Sequence, residues 1–334
     1  MLKILSVVIP TYNMEKYLEN CLDSFIYDEK AEDLEVLIVN DGSKDNSLSI
    51  ARRYEEKFPN IFKVIDKENG GHGSTINAGL KVAKGKYFKV VDADDWVDTE
   101  ELKKLLEFLY KNDVDCIISN YVHFYEFTNK YLTENCMIIE PFVIKDINDV
   151  KNFRFTMHSF VFSTEKIRNV RLQEKCFYVD VEYNIYSYAQ CENVVCLPIN
   201  LYQYRLGRAG QSVSPEGLYK HRDNHFTVVK NIISFYETNK EQISPVKKDN
   251  IFKHVTVIAR AHYEYHNLMS YSHPEVLQEL KQYDEWLKQY PEIYQEVLSS
   301  KIVKSFRKND FKVLRFNRLI YKLKGIVKKI LRRG

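Results

Sequence analysis

The chain has 334 residues, 45% hydrophobic and 13% aromatic, which suffices for one large domain with an appendage and excludes a disordered protein. Its six cysteines form no CxxC pair and follow no secretory leader, so reduced thiols in a cytoplasmic setting are expected, with neither zinc nor disulfides. The net charge of +3 conceals an asymmetry: from Lys301 onward thirteen Lys or Arg meet one acid, a local +12 that leaves −9 on the preceding 300 residues.

In chain order, β-branched runs alternate with helix-period segments over the first 120 residues, the pattern of a βαβ sheet with helices on both faces. Ile4 to Ile9 reads as a strand. A helix follows from about Glu15 to Tyr27, with Leu18, Cys21, Leu22 and Phe25 on one face, and then a strand at Leu34 to Val39. Ser43 or Asp45 can cap a helix running to about Phe58. A third strand near Phe62 to Ile65 leads through a glycine-rich loop to a helix from about Ser74 to Ala83 and a fourth strand at Tyr87 to Val91. Between Cys116 and Arg205 the text is mixed, with strand-like runs at Ile117 to Phe127 and Ser159 to Phe162 and a helix at Val181 to Ala189. Beyond Pro215 it is mostly helical, broken by a polar linker near Asn239 to Asn250 and by Pro274 and Pro291. No apolar run reaches the roughly 18 to 20 residues that cross a bilayer.

Polar clusters follow three of these strands, and in open α/β sheets ligands collect at strand carboxyl ends. Pro10-Thr11-Tyr12-Asn13 closes the first strand and Asn40-Asp41-Gly42-Ser43 the second. A tyrosine ring offers a face for a nucleobase, and a carboxylate accepts the imino hydrogen of uracil or a ribose hydroxyl, although Asp41-Gly42 alone is also an ordinary turn. After the fourth strand, Asp92, Asp94 and Asp95 place three carboxylates within four residues. Their repulsion is offset by a hard divalent cation carrying diphosphate oxygens, Mg²⁺ or Mn²⁺. A helix N-terminus rich in acids accounts for Asp95 or Asp98 equally well, and for Asp92 less well.

In order along the chain, these motifs resemble the inverting family 2 glycosyltransferases of the GT-A (Rossmann-like nucleotide-sugar-binding) fold. Ser6 to Asn13 is similar to that family's opening strand and loop, and Val36 to Ser43 to the second, with Asp41 at the base-binding aspartate. Asn69-Gly70-Gly71, Asn77-Ala78-Gly79-Leu80 and Gly85 match the third element, and Asp92-Ala93-Asp94 stands where the family carries its D-x-D. The resemblance implies that Pro10, Thr11, Tyr12, Asp41, Asn77, Asp92 and Ala93 bind the nucleotide-sugar and that Asp94 holds the metal. Val179 to Asn184 is similar to the acidic pair at a helix start and puts Asp180 at the general base, with Glu182 as rival and a plain N-cap as the simpler reading of Asp180. The segment from Tyr202 to Arg205, with Arg208, resembles the closing segment near the diphosphate, where cations stabilise the leaving UDP.

The match departs from the family at Ile76-Asn77, where many relatives have Arg-Asn, leaving His72 as a conceivable substitute, and at Val179, which precedes Asp180 in place of a second acid. His254, His262 and His266 can share a helical face, but without an HExxH pattern they read as ordinary helix histidines. From Phe316, apolar Leu319, Ile320, Leu323, Val327, Ile330 and Leu331 alternate with basic residues at helical spacing, as in a helix lying on an anionic membrane or packing on the protein itself.

The expectation is therefore an α/β GT-A domain over 1–214, a helical appendage over 215–300 and a basic amphipathic tail over 301–334. The implied activity is inverting, metal-dependent transfer of a hexosyl or N-acetylhexosaminyl group from a UDP-sugar to a glycan or lipid-linked acceptor, on the inner face of the cell membrane and without nucleic acid. A nucleotidyltransferase, or a binding protein without transferase activity, is the alternative.

Overall fold

The computed structural model describes residues 3–28, 31–208, 211–212, 214–270, 272–308 and 311. The chain divides into two compact units, one of residues 1–206 with 243–247 and one of 207–242 with 248–334.

The first unit contains β1 (Leu5–Thr11), α1 (Leu18–Asp23), β2 (Leu34–Asp41), α2 (Ser47–Lys57), β3 (Phe62–Lys67), α3 (His72–Val82), β4 (Tyr87–Val90), β5 (Trp96–Val97) and α4 (Thr99–Lys111). It continues through β6 (Cys116–Tyr125), β7 (Lys130–Glu134), β8 (Lys145–Asp146), a 3-10 turn at Met157–Ser159, β9 (Phe160–Ser163), α5 (Thr164–Ile167), α6 (Asp180–Gln190) and β10 (Asn193–Leu206). The strands form a ten-stranded sheet ordered β3-β2-β1-β4-β9-β6-β10-β5, with β7 paired to β6 and β8 to β10. Every residue of β1, β2 and β4 is buried, as parallel strands covered on both faces require. Val8 lies opposite Leu37 of β2 and Val90 of β4, so three apolar runs share one layer, each buried side chain contributing about 1.5–3 kcal/mol.

The structure differs from the periodicity in places with clear causes. α1 begins at Leu18 and not near Glu15, because the preceding backbone is committed elsewhere: Asn13 N–H donates to Ser43 Oγ, Met14 N–H to Ser47 Oγ and Glu15 N–H to Asp45 Oδ2. These bonds tie the loop after β1 to the loop after β2. β10 has no clean signature in the sequence, since Pro198 interrupts it and its register with β6 shifts between Leu197 and Tyr202. Asp98, not Asp95, caps α4, accepting from the N–H groups of Glu100 and Glu101.

Two glycines permit a close approach that positions the site. Gly71 has φ +80, and a Cβ on Gly73 would lie 2.2 Å from the Gln173 carbonyl oxygen. The loop opening α3 thus packs directly on the strand of chain that leads into α6. Gly73→Ala should lower stability by about 1–3 kcal/mol in urea titrations, the usual overpacking penalty, and lower activity with it. An unchanged midpoint would show that this contact yields freely.

The second unit is helical: α7 (Pro215–Lys220), α8 (Arg222–Asn239), most of α9 (Pro245–Met269), α10 (Val276–Leu287), α11 (Pro291–Ser299) and α12 (Lys301–Lys308). The polar linker is shorter than expected, because Pro245 opens α9 with the fixed φ that suits a first helical turn. His262 and His266 are buried core residues. His225 Nδ1 lies 3.0 Å from His262 Nδ1, and burial lowers the imidazole pKa of His225 to about 3, so the pair is neutral. The amphipathic run from Phe316 lies outside the described residues.

Candidate active site

The residues singled out in the sequence stand at the carboxyl ends of β1, β2 and β4 and at the start of α6. Thr11 is buried and its hydroxyl returns to the Ile9 carbonyl at 3.0 Å, whereas Tyr12 is 46% exposed and presents a ring to solvent. Pro10 is buried within β1. Asp41, 2% exposed, is held by fixed donors: Lys67 Nζ and Gly70 N–H at 2.8 Å on Oδ1, and Gly71 N–H at 2.8 Å on Oδ2. This one carboxylate orients the whole glycine-rich loop, and among the described residues Oδ2 takes only the Gly71 N–H, keeping room for a further donor.

The loop after β4 is anchored from behind. Asp95 is buried; its Oδ2 accepts from Tyr202 OH at 2.6 Å and its Oδ1 from Arg205 N–H at 2.7 Å. Burial, then the charges of Asp94 and Asp92, drive the Asp95 carboxyl well above the carboxylate range. Asp92 Oδ1 lies 2.8 Å from His72 Nε2 at the first residue of α3. Burial opposes protonation of His72, but the Asp92, Asp180 and Asp94 carboxylates outweigh it and raise its pKa. Ala93 is buried between them.

Asp180 opens α6 without capping it, for Val179 occupies the cap position and makes no side-chain bond there. Burial and the Asp92 charge push its carboxyl up, and His72 pulls it down. Glu182 is turned into the core, 1% exposed, with Oε2 accepting the Gln173 N–H at 2.8 Å. The two acids two residues apart therefore differ: Asp180 feels the charges of His72 and Asp92, and Glu182 holds the chain that enters the helix.

Two of the expected nucleotide contacts, Asn77 and Arg205, also make bonds within the chain. Asn77 spends its amide on the chain itself: Nδ2 donates to the Leu172 carbonyl at 3.0 Å and Oδ1 accepts Leu172 N–H at 2.9 Å, bracing the approach to Asp180. Arg205 is packed among neighbouring side chains. Its guanidinium lies 5.1, 4.8 and 5.5 Å from the rings of Tyr17, Trp96 and Phe124, donates through Nε to the Asp94 carbonyl at 2.8 Å, and reaches Asn20 Oδ1 at 2.8 Å. It is a clamp behind the acidic loop. Arg208 belongs to the second unit.

One residue carried no signal in the sequence. A ring nitrogen of His158, on the 3-10 turn, and carboxylate oxygens of Asp92 and Asp95 lie within 4.8 Å of one another. Burial lowers the pKa of His158 to about 4, so it is a neutral imidazole. Two carboxylates, a third nearby in Asp94, and a neutral nitrogen donor form a set that fits a divalent cation, whose charge would offset the cost of burying Asp95 ionised.

A mixed sheet with its polar loops gathered at the carboxyl ends of parallel strands is here the GT-A fold. Residues 6–171 match the family model described as glycosyl transferase family 2. The chain is 30% identical over 217 residues to the glycosyltransferase GlyG of Streptococcus pneumoniae, covering 61% of this chain and 71% of that protein. Another curated relative is matched over 62% of its own length. Among solved structures, S. aureus TarS residues 1–349 in complex with UDP-GlcNAc superpose with a TM-score of 0.59 at 18% identity, covering 92% of both chains. The mannosyltransferase PcManGT from Pyrobaculum calidifontis, in complex with GDP-Man and Mn²⁺, gives 0.53 at 14%, covering 93% of this chain and 89% of that one. The chain belongs to glycosyl transferase family 2.

Proposed function

We propose that this glycosyltransferase moves a hexosyl or N-acetylhexosaminyl group from a UDP-sugar to an acceptor hydroxyl with inversion, using a divalent cation, Mn²⁺ or Mg²⁺, at the loop after β4. The observation that carries the reading is the pairing of Asp92 with His72 beside the acidic loop after β4, with Asp180 at the head of α6 feeling the charge of both. Tyr12 stacks on the base, and Asp41, held by Lys67, Gly70 and Gly71, accepts the imino hydrogen through Oδ2. Asp92 contacts the ribose or donor sugar and Asp94 holds the cation. Bound there, a divalent ion would neutralise charge on the departing diphosphate. Asp180 removes the proton of the acceptor hydroxyl as its oxygen bonds to the anomeric carbon and the bond to UDP breaks, so one displacement inverts that carbon. UDP complexes of the fold neighbour support the donor class. A panel of UDP-sugars, assayed for UDP release with Mn²⁺ or Mg²⁺ and then with chelator, tests this. At least one should be hydrolysed with metal alone; release that persists undiminished in chelator rejects the metal, and release from none rejects the donor.

The acceptor is proposed to be a glycan or lipid-linked sugar at the inner face of the membrane, reached through the basic tail. No helix among the described residues is long and apolar enough to cross a bilayer. Burial of Phe316, Leu319, Leu323, Val327 and Ile330, with about 1 kcal/mol per nearby Lys or Arg, would hold the tail to anionic lipid. Deleting residues 315–334 should release the protein from anionic liposomes and preserve donor hydrolysis. A full-length chain that ignores such liposomes at low salt loses the membrane reading.

A further inference from the structure

We infer that His158 is a nitrogen ligand of the divalent cation, beside Asp92 and Asp95, and that it tilts the site towards Mn²⁺ over Mg²⁺. The inference rests on the metal reading above and adds to it a ligand and a selectivity.

Three features carry it. The donor atoms of Asp92, Asp95 and His158 already lie within 4.8 Å of one another, whereas cis and trans ligands around an octahedral ion at ~2.1 Å are about 3 to 4.2 Å apart, so small side-chain rotations close the set. The imidazole is also immobilised as a ligand needs to be. It stacks on Tyr204 with centroids 4.2 Å apart and planes at 27°, meets Tyr202 edge-on at 4.7 Å, and has Thr156 Oγ1 3.2 Å from Nδ1. Such an outer partner fixes the tautomer and ring direction of a metal-binding histidine.

The third feature is Lys89, a side chain at 1% exposure in the middle of β4. Nζ donates to the carbonyls of His158 at 2.9 Å and Phe160 at 3.1 Å, and it lies 5.4 Å from the centre of the Tyr202 ring. A buried amino group is costly unless its hydrogens are satisfied, and here the bonds it makes hold the His158 turn against the strand that leads to Asp92. Lys89 is thus a positioning residue acting through His158. The selectivity follows from ligand chemistry: carboxylate and water suit Mg²⁺ and Mn²⁺ alike, but imidazole favours the transition metal.

The test is pulsed EPR on the full chain with Mn²⁺ and UDP, paired with Mn²⁺ and Mg²⁺ titrations. A ¹⁴N modulation from imidazole is expected in the parent, kept in His72→Gln and lost in His158→Ala. The Mn²⁺ Kd should rise about tenfold or more in His158→Ala, with a smaller change for Mg²⁺. Lys89→Met should also weaken Mn²⁺, which a purely structural lysine would not do once the variant is shown to be folded. Bound Mn²⁺ without nitrogen modulation, or modulation lost in His72→Gln instead, overturns the inference and leaves the metal reading standing. Absence of any Mn²⁺ binding to the UDP complex overturns both. The parent and His72→Gln spectra together decide even if His158→Ala does not fold.

Discussion

Asp94→Ala should reduce metal-dependent UDP-sugar turnover by about 10³-fold or more, equivalent to some 4 kcal/mol of lost transition-state stabilisation. The fold should survive, because Arg205 Nε donates to the Asp94 carbonyl, a bond that an alanine keeps. Removing one of three crowded carboxylates also relieves the repulsion that raises Asp95. The measurement is UDP release at saturating donor across a Mn²⁺ titration, with circular dichroism to confirm folding. Full activity in Asp94→Ala would remove this residue from the metal site and leave Asp92 and Asp95 as its carboxylates.

Asp180→Asn should keep donor binding and lower kcat for transfer by about 10²-fold or more, the usual contribution of a general base. Glu182→Gln is the contrasting variant: it weakens the acceptor for the Gln173 N–H, so its effect should fall on thermal stability before chemistry. The pH dependence carries a sign. The base works deprotonated, and burial with the Asp92 charge raises the Asp180 carboxyl, so activity should fall with decreasing pH above the ordinary carboxylate range. That limb should be absent in Asp180→Asn. An inactive Glu182→Gln beside an active Asp180→Asn would exchange the two roles.

The core half of the fold was legible in sequence because its determinants are local. Runs such as Val36 to Val39 are apolar without interruption, which is how a parallel strand covered on both faces reads, and the polar clusters fall where such strands end. Helix ends were less legible where backbone groups are spent on another loop, as in the bonds of Asn13, Met14 and Glu15 that delay α1. The long final strand β10 escaped notice for the same kind of reason: its pairing with β6, bulged around Asn200, depends on partners about 80 residues away.

By itself, then, the sequence determined the order of strands and helices through β4, the acidic loop after it and the acid at the head of α6, all set by short-range periodicity and composition. Tertiary structure decided which of those residues face the site. It turned Glu182 inward and left Asp180 under the influence of the His72 charge, bonded the Asn77 amide to Leu172, and set Arg205 against the rings of Tyr17, Trp96 and Phe124. It also brought His158 to within ligand distance of Asp92 across 66 positions of chain. No pattern in a single sequence encodes such a meeting, because sheet register and packing of distant segments, not spacing along the chain, place a side chain's functional atoms.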